Sequence, residues 1–184
     1  MIINIHGFTG RGANSKYDWI KANLPERSIF APDIDYSQTP PGQILDFLAD
    51  RVREKATDLN NIAILGSSLG GFFGRCLNLI FPTVKTVLIN PCLAPFISLR
   101  GYIDVKAYLA LFASLAYQDD ELPPEKSRLY VIIGDSDELI DHKILTTPLL
   151  PPNFPNLALI KGGVHRLVLT GQAHQYLKDY LSEL

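Results

Sequence analysis

An α/β fold built on a six-stranded, mostly parallel sheet is predicted by three features of this sequence. Short, continuous apolar runs recur along it, the stretches between them have helical spacing, and several runs end in glycine-bearing loops. The runs cover residues 2–5, 28–31, 62–65, 86–89, 129–133 and 157–160. None alternates apolar with polar residues, so both faces of each strand should be covered, as in a parallel sheet with helices on both sides. Alternating strands and helices imply right-handed crossovers. The expected local strand order is 2-1-3-4-5-6, with the whole chain forming one domain.

The intervening stretches support this reading in turn. Ile44, Phe47, Leu48, Val52 and Ala56 fall on one helical face, with Asp46, Asp50, Arg53 and Glu54 elsewhere. Residues 69–81 form a second helix, closed by Pro82, and residues 173–184 a third, with Tyr176, Leu177, Tyr180 and Leu181 on one side. The segment 91–126 breaks the rhythm, being longer than one crossover requires. Its "YIDVKAYLALFASLAY" reads as an apolar, aromatic helix. Two readings stand for it: a lid over a pocket, or an enlarged crossover packed on the sheet.

Composition removes several classes of function. A net charge of −2 over 184 residues, with no block of Lys or Arg, gives no general attraction to nucleic acid or anionic membranes. The opening "MIINIHGF" reads as a strand and not as a secretory leader, and no apolar run is long enough to cross a bilayer. Cys76 and Cys92, the two cysteines, have the spacing of neither a zinc site nor a redox pair, and read as small core hydrophobes in a reducing, cytoplasmic setting.

In a parallel sheet, chemistry belongs at the carboxyl ends of the strands. The third run ends in Gly66-Ser67-Ser68-Leu69-Gly70, a G-x-S-x-G elbow. A serine on so tight a strand-to-helix turn has its hydroxyl pushed into the open, and the flanking residues must be small. In this register Ser68 is the nucleophile and Gly66 and Gly70 are the small neighbours. A phosphate cradle fits less well, because the loop has neither the Lys-Ser/Thr of a P-loop nor G-x-G-x-x-G spacing.

A serine needs a base, and the base needs an orienting acid, in the chain order Ser, acid, His. The fifth run is followed by "GDSDELID" and the sixth by "KGGVHR". His165 is the candidate base, while His142 and His174, at or inside helices, read as structural. The acid is Asp135 or Asp137. Asp137 is preferred because a loop needs a few residues to turn a carboxylate towards its neighbour, and Asp141 suits a helix cap. At the first strand's exit, Gly7 would let the backbone approach a substrate carbonyl. The Phe8 N–H, with that of Leu69, would then form an oxyanion hole. His6 reads as a loop-fixing residue.

Taken together, "IHGF", "LGSSLGGFF", "LINPCLAPF", "DELID" and "GGVHR" resemble the YqiA/YcfP-type family of small bacterial α/β hydrolases. The resemblance implies a minimal α/β-hydrolase fold and an esterase-like activity on acyl esters or thioesters. It also implies Ser68 as nucleophile, His165 as base and, through "DELID", Asp137 as acid. Where a large aromatic would be expected beside the histidine, this chain has Arg166-Leu167. The expected function is a serine hydrolase acting on a small acyl ester or thioester, with no cofactor or metal. The alternative is a ligand-binding protein that keeps the fold without catalysis.

Overall fold

Parallel pairing runs through the entire sheet. The structure, a computed structural model, describes residues 1–54, 56–119, 128–151 and 154–182, with 56–58 and 116–119 described by their backbone. Its strands are β1 (Ile2–Ile5), β2 (Ile29–Phe30), β3 (Ala63–Ser67), β4 (Lys85–Ile89), β5 (Leu129–Gly134) and β6 (Leu157–Ile160). They lie in the order β2-β1-β3-β4-β5-β6. All five pairings are parallel, with registers such as Ile3 beside Ile64 and Leu65 beside Val87. The order turns back on itself between β1 and β3, and that switch point opens a crevice at their carboxyl ends. β2 is shorter than the apolar run suggested. It is an edge strand, and Pro32, without an N–H, ends the ladder just beyond it.

Helices cover both faces, and the period of two in the strands decides which residue meets which layer. Ile3, Ile5 and Ile64 pack against α2 (Pro41–Arg53), α3 (Leu69–Ile80) and α5 (Val105–Asp119). Their neighbours Ile2, Ala63 and Leu65 point the other way, towards α1 (Ser15–Asn23) and α7 (Gly171–Ser182), where Trp19, Ile20, Leu177 and Leu181 complete a second core. The short α4 (Pro95–Ser98) and α6 (His142–Leu145) lie in loops after β4 and β5.

The buried stripe of α2 is Ile44, Leu45, Leu48, Ala49 and Val52, so the expected face was displaced. Phe47 is 51% exposed and leans on Phe30 of the edge strand, and Ala56 falls in a 3-10 turn beyond the helix. Helix α3 ends at Ile80 with Phe81 as its cap. In α7, Leu177 and Leu181 are buried as expected, while residues 183–184 of the predicted helix lie outside the described residues. Cys76 and Cys92 are both buried and free.

The segment after β4 forms α4, a loop and α5, with residues 120–126 of the predicted 91–126 insertion outside the described residues. Helix α5 is anchored by Tyr108, which is 1% exposed and packs its ring against Phe72 and Phe73 of α3. The Tyr108 hydroxyl is buried with no hydrogen-bond partner among the described residues. An unpaired buried hydroxyl costs stability, whereas the ring contributes by burial. Tyr108→Phe is therefore expected to leave unfolding free energy unchanged or raise it by up to about 1 kcal/mol. Tyr108→Ala should lower it by about 3–5 kcal/mol through loss of the ring. Urea titration followed by circular dichroism checks both, and a clear loss in Tyr108→Phe would mean that the hydroxyl has a partner.

Candidate active site

The switch-point crevice is where the residues singled out from the sequence converge. Ser68 follows β3 as the N-cap of α3, with φ 53° and ψ −120°. A non-glycine residue there carries backbone strain of about 1–3 kcal/mol, held in place by its surroundings. Those surroundings leave no room for side chains. A Cβ on Gly66 would stand 2.5 Å from the Gly70 carbonyl oxygen, and one on Gly70 would stand 2.2 Å from that of Ile5. The first turn of α3 thus sits directly on the backbone of β1 and β3. Gly7 comes equally close from the other side, since a Cβ there would lie 2.9 Å from the Ser68 Cβ.

Around Ser68 the side chains form a continuous hydrogen-bonded chain. Its Oγ is 3.0 Å from His165 Nε2, and His165 Nδ1 lies 2.9 and 3.1 Å from the two oxygens of Asp137. Neutral His165 can satisfy both ends when Nδ1 carries the proton and Nε2 accepts from the serine. The adjacent serine differs: the Ser67 Oγ is buried without a partner among the described residues. Asp135, the other candidate acid, accepts from the Gly162 N–H at 2.6 Å and so ties the two loops together away from the imidazole.

Four donors surround Asp137. Besides His165, the Leu139 and Ile140 N–H groups each donate to Oδ1 at 2.9 Å, and His142 Nε2 lies 2.9 Å from Oδ2. Burial alone would raise the carboxyl's pKa. The hydrogen bond from His165, the two backbone donors and His142 outweigh it, and the net direction is downward. The carboxylate form is thereby favoured. Asp141 caps α6, accepting from the Lys143 N–H at 3.1 Å.

The role of His142 was not foreseen beyond a structural one. The motif "DELIDH" holds the signal, a histidine five residues after the acid, but the spacing acquires meaning only once α6 turns the ring back. Its Nδ1 is 2.8 Å from Thr146 Oγ1, which also lies 3.0 Å from the Pro91 carbonyl oxygen. With a neutral ring, the single hydroxyl proton of Thr146 can serve His142 or Pro91, not both. Burial lowers the His142 pKa despite the neighbouring carboxylate.

The loops that carry these residues are fixed from below. His6 Nε2 accepts from the Ile34 N–H at 2.9 Å, so the neutral ring donates from Nδ1 to the Gly7 carbonyl at 2.7 Å, as its loop-fixing role requires. Asn90, at the exit of β4 with φ 43°, was also missed. Its Nδ2 donates to the Val164 and His165 carbonyls, each at 2.9 Å, and its Oδ1 accepts from the Gly134 N–H at 2.7 Å. His174 accepts from Trp19 Nε1 at 3.0 Å, a structural contact.

A cleft of about 480 Å³ opens over this chain, lined by Phe8, Ser68, Leu99, Leu139 and His165 among others. Phe8 is half-buried at its edge. Leu69 begins α3, so its N–H has no acceptor within the helix. Cys92 also lines the cleft, but burial pushes its thiol up to about 11, which leaves it protonated at neutral pH. Among the described residues no group of three or more His, Cys, Asp or Glu is arranged to hold a metal ion, and no helix is long and apolar enough to cross a membrane.

A parallel sheet in this order, with a strained serine elbow after β3 and acid and histidine loops after β5 and β6, defines the α/β-hydrolase fold. Solved structures agree. An α/β hydrolase enzyme, MGS-MChE2, from the metagenome of lagoon sediments at Mar Chica, Morocco, matches with a TM-score of 0.65 and 21% identity, covering 99% of this chain and 90% of that one. The monoacylglycerol lipase of Paleococcus ferrophilus matches with a TM-score of 0.72 and 11% identity, covering 99% and 93%. At such identities the likeness establishes the fold alone. The narrower assignment comes from sequence: a family model described as "Uncharacterised protein family (UPF0227)" matches residues 1–149. A UPF0227 protein of Shewanella loihica is 28% identical over 155 residues, spanning 82% of this chain and 83% of that protein. The chain belongs to the UPF0227 family, the YqiA/YcfP-type group it resembled.

The shifted His142 gives a pH dependence with a definite sign. Its folded pKa lies below the unfolded value of about 6.5, so the unfolded chain takes up the proton first as pH falls. This contribution to stability is full above the unfolded value and is lost as pH drops towards the folded one. The stability advantage of the wild type over His142→Gln, measured by urea unfolding, should therefore narrow between pH 7 and pH 5. A gap that widens on acidification would mean the native state holds the imidazolium.

Proposed function

We propose that this protein is a serine hydrolase that cleaves carboxylic esters or thioesters through an acyl-enzyme intermediate. One observation carries the reading: the chain from Ser68 Oγ through His165 to Asp137, with every distance between 2.9 and 3.1 Å, on a serine whose backbone is held at φ 53°. Structural ion pairs seldom recruit a strained serine at a cleft, whereas activating a hydroxyl requires this sequence of groups.

In this mechanism His165 Nε2 takes the Ser68 proton as Oγ bonds to the acyl carbon. Asp137 holds the ring in its Nδ1–H tautomer and stabilises the imidazolium that forms. The carbonyl oxygen becomes an oxyanion, bound by the Phe8 and Leu69 amides, each such donor being worth about 3–4 kcal/mol in the transition state. Collapse breaks the bond to the leaving alcohol or thiol, which receives the proton from His165. Water, deprotonated by the same imidazole, then attacks the acyl-enzyme and releases the carboxylic acid and free Ser68.

The cleft favours an acyl ester as substrate, because Phe8, Leu99 and Leu139 give it an apolar side. The loop between α4 and α5 brings a further apolar group near: Tyr102, 67% exposed, contacts the Phe8 ring. This supports the described part of the segment after β4, residues 91–119, as a wall of the acyl site.

A fluorophosphonate probe should label Ser68 and no other residue, as read by peptide mapping. Ser68→Ala should abolish the labelling and lower kcat on p-nitrophenyl butyrate by about 10³-fold or more, and Asp137→Asn should lower it by about 10⁴-fold. An unlabelled Ser68, or activity that survives Ser68→Ala, would remove the proposal.

A further inference from the structure

The cleft has a second side that acyl transfer alone does not use. Lys16, the second residue of α1, is only 8% exposed, yet it lines the cleft together with Ser68 and His165. Its Nζ donates to the Leu167 carbonyl at 2.9 Å, two residues beyond the candidate base. Among the described residues this is its one hydrogen-bond partner. Arg166, exposed and adjacent to His165, lines the same side. No Asp or Glu is among the described residues that line the cleft. Two basic residues therefore line it, while Glu138, whose carboxylate accepts from the His165 N–H at 3.0 Å, is not among the lining residues.

A buried lysine without an anionic partner is unfavourable. An ammonium has three protons to donate, and one carbonyl uses one of them. Burial also draws the Lys16 pKa below the ordinary lysine range, and an anion beside it would restore the charged form. The bond to Leu167 ties α1 to the histidine loop. A cleft that accepts a negatively charged group would in addition engage the remaining protons of the ammonium.

Geometry also says which part of a substrate that group belongs to. The leaving atom must depart beside His165 Nε2, since it takes its proton there. Arg166 is on the histidine loop, and Lys16 is bonded to the same loop. The apolar wall, in contrast, is built from Phe8, Leu99 and Leu139. We propose that Lys16, assisted by Arg166, forms a subsite for an anionic group, carboxylate or phosphate, on the leaving alcohol or thiol of the substrate. This rests on the hydrolase reading above and narrows it to esters whose leaving group is negatively charged while the acyl part is apolar.

The test compares two esters with the same acyl chain, 4-butanoyloxybenzoate and its neutral analogue 4-butanoyloxybenzamide. Fluorophosphonate labelling of Ser68 is run alongside them. The wild type should favour the benzoate by about tenfold in kcat/KM, mainly through KM, equivalent to one charge-assisted contact. The ratio should fall as salt is added. Lys16→Met should bring it close to one, Lys16→Arg should retain most of it, and Arg166→Gln should reduce it in part. Should Lys16→Met fail to fold, Arg166→Gln and the salt series still decide the matter. A wild-type ratio near one, with Ser68 labelled normally, overturns the anionic subsite and leaves the hydrolase reading intact. So does a ratio that Lys16→Met leaves unchanged, or a preference for charge on the acyl side (monoesters of butanedioic acid against butanoate esters). Loss of labelling at Ser68 in the wild type would instead overturn the reading beneath it.

Discussion

Three hydrogen bonds from one buried side chain, that of Asn90, hold the site's distant pieces in register. Ser68 lies beyond β3, whereas His165 follows β6, three strand spacings or about 14 Å across the sheet. The histidine loop must therefore reach back over the ends of β5 and β4. Asn90 stands at the end of β4, directly beneath that path. It grips the Val164 and His165 carbonyls with one amide nitrogen, and its oxygen takes the Gly134 N–H at the end of β5. The clamp fixes the loop from which His165 approaches Ser68 to 3.0 Å. Asparagine suits the position twice over, since it supplies donor and acceptor together and tolerates the left-handed backbone found there.

The acid side of the chain is organised by saturation. Two backbone amides and two imidazoles surround the Asp137 carboxylate, so its charge is stabilised without a cation beside it. His142 is the unusual member. It shares Oδ2 of the carboxylate with His165, and while its ring is neutral the single Thr146 proton serves either it or the Pro91 carbonyl. The elbow side combines close packing with backbone hydrogen bonds. Backbone approaches at Gly7, Gly66 and Gly70 confine Ser68, whose N–H donates to the Ile89 carbonyl at 3.1 Å and whose carbonyl accepts from the Gly71 and Cys92 N–H groups at 2.8 and 2.9 Å. The cleft between the two sides is lined by Phe8, Leu99 and Leu139 and by Lys16 and Arg166.

Much of this was legible from residue order. Sheet order, strand positions and the elbow follow from apolar runs and glycine spacing, because those patterns are local and physically strict. That Asp137 and His165 would lie near Ser68 was legible because strand exits in such a sheet share one edge. What was hidden is what depends on distant partners. Asn90 reads in sequence as an asparagine before Pro91, an ordinary turn signal. His142 reads as a residue at a helix start, and nothing in the sequence singles out Lys16. Phe47 shows the converse error: a large apolar residue near the buried stripe of α2 was placed within it, but the neighbouring strand is an edge, and the ring rests beside Phe30 instead.

The central claim is that His165 bridges Ser68 and Asp137 as a neutral imidazole carrying its proton on Nδ1. Nitrogen-15 NMR of histidine-labelled protein at neutral pH tests it directly. The account predicts a protonated Nδ1 with a strongly deshielded proton, an unprotonated Nε2, and loss of that proton signal in Asp137→Ala. A His165 found in the Nε2–H form, or a spectrum indifferent to Asp137→Ala, would contradict it.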